Sequence, residues 1–245
     1  MLFCPTPSLK GLVLGFCGVS LLFSLSCSSP GGSRWANGND ASLGKVTPMQ
    51  LLAEVRLKAD LIPAGTVGRK LYRPMTPKYI TIHSTQNYTG DAYNHALALK
   101  RGALRATKRV GGNRIGFLTW HFTVQDNIAI QHLPCREQGE HADFDGVGNN
   151  YSIGIEMCEH RGNNIPVTID KTARLAAYLC YTYGISPSAV VPHYHWPRYG
   201  TSPLHKDCPH FLMDNGKPGR TWNWFLSRVK FHLGRIVPGP AKSLG

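Results

Sequence analysis

Residues able to hold a metal ion or move a proton stand at the ends of short apolar runs in this chain. His83 closes KYITIH, Glu156 lies in YSIGIEM, and His193 and His195 lie in VVPHYHW, just after an apolar stretch. Lys206 and Cys208 follow in KDCP. Singly, each has an ordinary reading: a histidine at a strand end is most often a hydrogen-bonded structural residue, and a cysteine beside proline a small buried hydrophobe. Together they admit a chemistry. Two imidazoles and a thiolate around Zn²⁺, with a fourth position open to water, make a catalytic donor set. A nearby glutamate supplies a general base, and a lysine a cation for an oxyanion. His83 and His193 are far apart in sequence, so there is no local metal motif of the CxxC or HExxH kind. Only the fold can bring such ligands together. His195 competes with His193, because residues i and i+2 share a face of an extended chain.

The elements that must position these residues are written in the pattern. TPMQLLAEVRLKAD, from Thr47, offers an N-cap, Pro at the first helical position, and Leu51, Leu52, Val55 and Leu57 at helical spacing. KYITIH and YSIGIEM read as strands, and TWHFTV followed by IAIQHL reads as a hairpin across a DN turn. GDAYNHALALKRGAL, DKTARLAAYLCYTYG (stopped by Gly184) and TWNWFLSRVKFHL read as helices. Strands alternating with helices predict an α/β domain, a central sheet covered by helices. It would run over residues 47–235, with residues 236–245 as a C-terminal tail. No internal repeat is present.

Residues 1–26 carry one charge, Lys10, and an apolar run from Gly11 to Leu25. About fifteen residues is short for a bilayer span and suits the hydrophobic region of an export signal. The run ends in SLSC. Cys27 after small residues resembles a bacterial lipoprotein signal, in which the cysteine becomes the lipidated N-terminus, although Ser24 stands where leucine is usual. Ser24 and Ser26 also suit ordinary signal cleavage, and the two outcomes stay open. Residues 27–46 are rich in Ser, Gly, Asn and Pro, and the nineteen after Cys27 make a flexible tether with a reach of about 25 Å. The expectation is an exported protein, lipid-anchored to a membrane or else secreted.

The 245 residues hold 27 Lys+Arg against 14 Asp+Glu, a net charge of +13, with 42% hydrophobic residues. That composition supports a buried core and excludes a disordered chain. The excess charge implies an anionic partner: nucleic acid, a membrane surface or an acidic wall polymer. The basic stretch 99–114 reads as a solvated helix end, or else a contact surface for such a polymer. No helix-turn-helix, zinc finger or RNA-binding signature accompanies the charge, so a nucleic-acid partner is not expected. Seven cysteines are too few for a disulfide scaffold. Cys135, Cys158 and Cys180 read as buried thiols; export would permit a pair among them, and a thiol hydrolase built on Cys158 matches no motif.

Four segments sharpen this reading: ADLIPAGTVGRKLYRPMTPKYITIHST, LTWHFTVQDNIAIQHLPCREQGEHA, NNYSIGIEMCEH and VVPHYHWPRYGTSPLHKDCPHFLM. In this order they resemble the zinc-dependent N-acetylmuramoyl-L-alanine amidases of the type 2 amidase family, which includes phage-lysozyme-like and Bacillus autolysin amidases and the related peptidoglycan recognition proteins. The similarity covers about residues 60–215. It implies a mixed central sheet with helices on both faces and a shallow groove over one Zn²⁺ per chain. It implies His83, His193 (three before Trp196) and Cys208 as ligands, Glu156 as the catalytic glutamate, and Lys206 as the residue meeting the reacting carbonyl. Trp120, where other branches have tyrosine, and His141 in GEHAD match groove-lining positions expected to meet substrate. His121 is expected to orient locally, and Asn149 and Asn150 to turn a loop without chemistry. The implied partner is peptidoglycan, acted on by a monomer. The rival reading is a recognition domain that binds peptidoglycan without cutting it; the complete ligand set favours catalysis.

Overall fold

The computed structural model describes residues 43–106 and 115–245. The residues expected as an export signal, Cys27, most of the segment expected as a tether and the basic residues 107–114 lie outside the described residues. Helix α1 (Pro48–Val55) begins as its sequence requires. The Thr47 hydroxyl accepts the Gln50 amide, the Gln50 side chain accepts the Thr47 amide, and proline fills the first turn. It ends sooner than the apolar spacing implies. Arg56 turns left-handed (φ 56°), and Leu57–Ala59 leave the helix to form strand β1.

The remaining regular elements are β2 (Tyr79–Ser84), α2 (Ala92–Arg101), β3 (Phe122–Val124), β4 (Ala129–Gln131), the short α3 (Val147–Tyr151), β5 (Ser152–Met157), α4 (Ile165–Tyr183), β6 (Val190–Pro192) and α5 (Arg220–Arg235). The six strands form one sheet in the order β1-β4-β3-β5-β2-β6. Only the β3–β4 hairpin is antiparallel; the other four pairings are parallel. The expected mixed sheet flanked by helices is present.

Alternation along the strands divides the sheet into two unlike faces. Ile80, Ile82, Ile153, Ile155 and Met157 are fully buried in the main core with residues of α1, α4 and α5. The alternate positions of the same strands are Thr81 and His83 on β2 and Ser152, Gly154 and Glu156 on β5. That face is polar and carries the candidate residues His83 and Glu156. Helix α2 covers its far end, where Ala92 and Ala96 pack with Ile130 and Cys158.

Both ends of the described chain are tied to the helices. Val46 pairs with Ile236 just past α5, at the end of the segment expected as tether. Residues 236–245 lie along α4. Tyr178, Tyr181 and Tyr183 bond the backbone at Lys242, Gly239 and Leu244, and Leu244 is buried. Among the described residues no helix is long and apolar enough to cross a membrane.

Candidate metal centre and groove

Three neighbouring strands deliver the candidate residues to one edge. His83 and Glu156 stand at the same register of β2 and β5. Next to β2 on its other side, β6 ends at Pro192 and passes directly into a 3-10 turn that starts at His193. Side chains therefore gather at the carboxyl ends of parallel strands, where open sheets commonly hold ligands.

The ligand atoms of His83, His193 and Cys208 lie within 4.8 Å of one another, and all three residues are buried. Cys208 Sγ is 4.0 Å from Nδ1 of His83, and a Glu156 carboxylate oxygen is 3.8 Å from the same nitrogen. The Ser84 amide donates to Cys208 Sγ at 3.4 Å. His195, the competing candidate, is exposed and outside the group.

Hydrogen bonds settle the tautomer of His193. Its Nε2 lies 3.0 Å from the Ala142 carbonyl oxygen. A carbonyl only accepts, so Nε2 carries the proton and Nδ1 the lone pair. That Nδ1 is buried without a partner among the described residues, and so is Oε2 of Glu156. An unpaired buried acceptor costs about 1–3 kcal/mol. Orphaned acceptors beside a thiol fit a cation that takes nitrogen and sulfur ligands.

Burial governs the charge states. It holds His83 well below the ordinary imidazole range, helped by His193, His141 and Lys206. It takes His193 down to about 3, helped by Lys206 and Arg198. Both rings are neutral, the form that binds metal. Burial and the Glu156 carboxylate push the Cys208 thiol up to about 12, so deprotonation there calls for a cation close by. Burial also lifts Glu156 to about 7, against the pull of Lys206. With the imidazole neutral, the His83–Glu156 contact is a dipolar contact rather than an ion pair.

A groove of about 530 Å³ opens here, lined by His83, Glu156 and His193 together with Trp120, Arg198 and Lys206. Residues 73–211, which hold every one of these positions, match the N-acetylmuramoyl-L-alanine amidase family. The chain belongs to that family. It is 37% identical over 178 residues to N-acetylmuramoyl-L-alanine amidase XlyA of Bacillus subtilis (strain 168), covering 71% of this chain and 51% of that protein. It is 35% identical over 179 residues to N-acetylmuramoyl-L-alanine amidase CwlH of the same organism, covering 71% of this chain and 61% of that protein. The chain thus matches between half and two thirds of the length of these relatives. The solved catalytic domain of XlyA superposes with a TM-score of 0.57 at 36% identity, covering 71% of this chain and 99% of that domain.

Within this amidase fold the remaining candidates separate. Trp120 is only 5% exposed; its indole N–H donates to Thr123 Oγ1 at 2.7 Å and its ring packs with Ile62, Leu99 and Leu133, so it meets the groove as part of the core. His121 is fully buried, donating to the Glu137 carbonyl and accepting the Gly154 amide. His141 lines the groove and also contacts His83 from behind, with Nδ1 3.1 Å from Nε2 of His83.

Two further residues join the site: Asn149, which the sequence marked only as turning a loop, and Arg198, which it did not mark. Asn149 pins the His141 loop through its side chain. Arg198 lines the groove with its Nε buried and unpartnered among the described residues. Neither has a motif. The usable signal for Arg198 was a cation between two candidate ligands, in a segment whose prolines and glycine promise a tight loop.

Proposed function

We propose that the chain is a zinc-dependent N-acetylmuramoyl-L-alanine amidase. It would hydrolyse the amide between the lactyl group of N-acetylmuramic acid and L-alanine of the peptidoglycan stem peptide. One observation carries this reading: a buried His83–His193–Cys208 group with the Glu156 carboxylate 3.8 Å from its first member, opening on a groove. The names of XlyA and CwlH support the bond chosen.

One Zn²⁺ per chain would be held by His83, His193 and Cys208, where it would acidify water and polarise the scissile carbonyl. Glu156, raised to about 7, is poised to take a proton at neutral pH and return it. It removes the proton from the attacking water and delivers it to the departing alanyl nitrogen. Lys206 faces the carbonyl oxygen as negative charge develops on it, a contribution typically worth about 10²–10³-fold in rate. A recognition domain that never cuts would have no use for a carboxylate 3.8 Å from His83 and facing the groove beside a complete ligand set. Arg198 adds a second cation to the groove and suits a carboxylate of the stem peptide. We assign the N-terminal residues to export, and Cys27 to lipid attachment. Acyl chains bury methylenes worth about 0.8 kcal/mol each, and the tether has no apolar stripe to replace them.

Digestion of purified peptidoglycan with and without a chelator, with mass analysis of the products, tests the reading. Release of free peptides beginning with L-alanine, abolished by chelator and by Cys208→Ser and restored to the parent by zinc, is the expected result. Full activity in metal-free protein, or products cut at another bond, would sink it.

A further inference from the structure

The groove-lining histidine His141 makes contacts that a substrate-binding residue would not need. Its Nε2 lies 3.3 Å from the Ser152 carbonyl oxygen, which can only accept. The ring therefore carries its proton on Nε2 and presents a lone pair at Nδ1. That lone pair faces Nε2 of His83 at 3.1 Å, so His83 must be the donor. A neutral imidazole that donates from Nε2 keeps its lone pair on Nδ1, the nitrogen near Cys208 and Glu156. The chain of bonds thus runs one way, from His83 through His141 to the backbone of β5.

The seat beneath the ring is built for it. A Cβ on Gly154 would come within 2.8 Å of Cδ2 and Nε2 of His141, and one on Gly139 within 2.6 Å of Cδ2. Neither glycine has a positive φ, so the need is for space rather than for unusual backbone. The loop is clamped from outside. Asn149 Oδ1 accepts the amides of both His141 and Ala142 at 2.8 Å, and its Nδ2 donates to Glu140, which Arg73 also holds. The clamp serves both imidazole ligands, since the Ala142 carbonyl is the acceptor that fixes His193.

We propose that His141 is a positioning residue, seated on Gly139 and Gly154 and pinned through Asn149, which locks His83 in its Nδ1-ligating tautomer and orientation. The proposal rests on reading His83, His193 and Cys208 as a metal centre, but not on which bond the enzyme cuts. Outer partners of ligating histidines typically contribute roughly 10–100-fold in metal affinity.

The test measures zinc affinity of the full chain by chelator competition, with KM of the zinc-saturated protein beside it. His141→Leu should raise the zinc dissociation constant roughly 10–100-fold. His141→Asn places Oδ1 where Nδ1 stood and should recover most of that loss. Gly154→Ala, which pushes the ring from its seat, should weaken zinc binding without touching a ligand. At saturating zinc, KM should stay within about twofold of the parent. Unchanged zinc affinity in His141→Leu, or equal losses in the Leu and Asn variants, would overturn the proposal. So would a raised KM with zinc affinity intact, which would make His141 a substrate contact. If His141→Leu does not fold, Gly154→Ala decides, and parental zinc affinity in that variant counts against us. Loss of peptidoglycan cleavage with normal zinc binding in the parent would instead strike the proposed reaction and leave this inference standing.

Discussion

Burial lifts the Glu156 carboxyl to about 7, so its charge is unfavourable to the fold while the proposed reaction needs it. A group whose folded value is raised contributes stability at pH below its unfolded value and loses that contribution as pH rises through the folded value. In chelator-treated protein, Glu156→Gln should therefore melt at or above the parent at pH 8, and in zinc-loaded protein hydrolysis should fall by roughly 10²–10⁴-fold. A melting point well below the parent would make Glu156 a structural partner and move the base elsewhere. Arg198 yields a different signature, because the role proposed for it is to meet charge on the substrate. Arg198→Met should raise KM about 10-fold for stem peptides with a free carboxylate and much less for amidated ones. Equal loss on both substrates would make it structural. Of these residues, His83, Glu156 and His193 drew notice because each ends, lies in or follows an apolar run, whereas Cys208 stood out only beside them and through the family resemblance of KDCP. Arg198 was not legible, and of Asn149 only the loop turn was, since their further meaning lies in which atoms the folded loops leave without, or supply with, a partner.

At the scale of elements, alternation is what the sequence displays most openly. The isoleucines of YITIH and SIGIE sit on the core side and the polar residues on the other, which is why His83 and Glu156 share a face once the strands are in register. Local composition misleads where caps decide. The long helix α4 starts at Ile165, five residues before its charged stretch at Asp170, because the Asn164 side chain accepts the Val167 amide and Pro166 suits the first turn. Leu57 fits a helical stripe yet belongs to β1, because Arg56 has already turned the chain. The docking of residues 236–245 has no periodic signal at all. It depends on hydroxyls presented by α4, among which Tyr178 both donates to the Lys242 carbonyl at 2.7 Å and accepts its amide at 2.9 Å. Tyr178→Phe removes both bonds while keeping the ring's volume. It should cost about 1–3 kcal/mol in urea unfolding with zinc affinity and kcat/KM unchanged. No loss of stability would mean that the segment is held by Leu244 and the bonds of Tyr181 and Tyr183 without help from Tyr178.

Across the whole molecule, the fold keeps a set of histidines neutral inside a chain whose net charge is strongly positive. Burial takes His121 down to about 4 and His132 to about 3, and it lowers His95 and His232 as well. The sign of the consequence is fixed. These groups bind protons in the unfolded chain near pH 6.5 but not in the folded one, so their contribution is present above that value and lost as pH falls toward the folded values. Each histidine steepens the loss toward about 1.4 kcal/mol per pH unit within its window. The buried carboxylate of Asp170 acts with the same sign at lower pH. His232, Arg228 and Arg174 hold it well below the ordinary range, outweighing the opposing effect of burial. Acid unfolding should therefore begin below about pH 6.5, before most carboxylates titrate. His132 is the cleanest probe, because its ring bonds Thr123 Oγ1 at 2.8 Å and lies outside the ligand group. His132→Gln keeps an amide near Nε2 that can donate to or accept from Thr123, but cannot take up a proton. Between pH 6 and pH 4, plots of unfolding free energy against pH for the two proteins should converge, with the variant shallower by about 1.4 kcal/mol per pH unit. Parallel plots would mean that His132 is charged inside the fold, and that the onset of acid unfolding belongs to other groups.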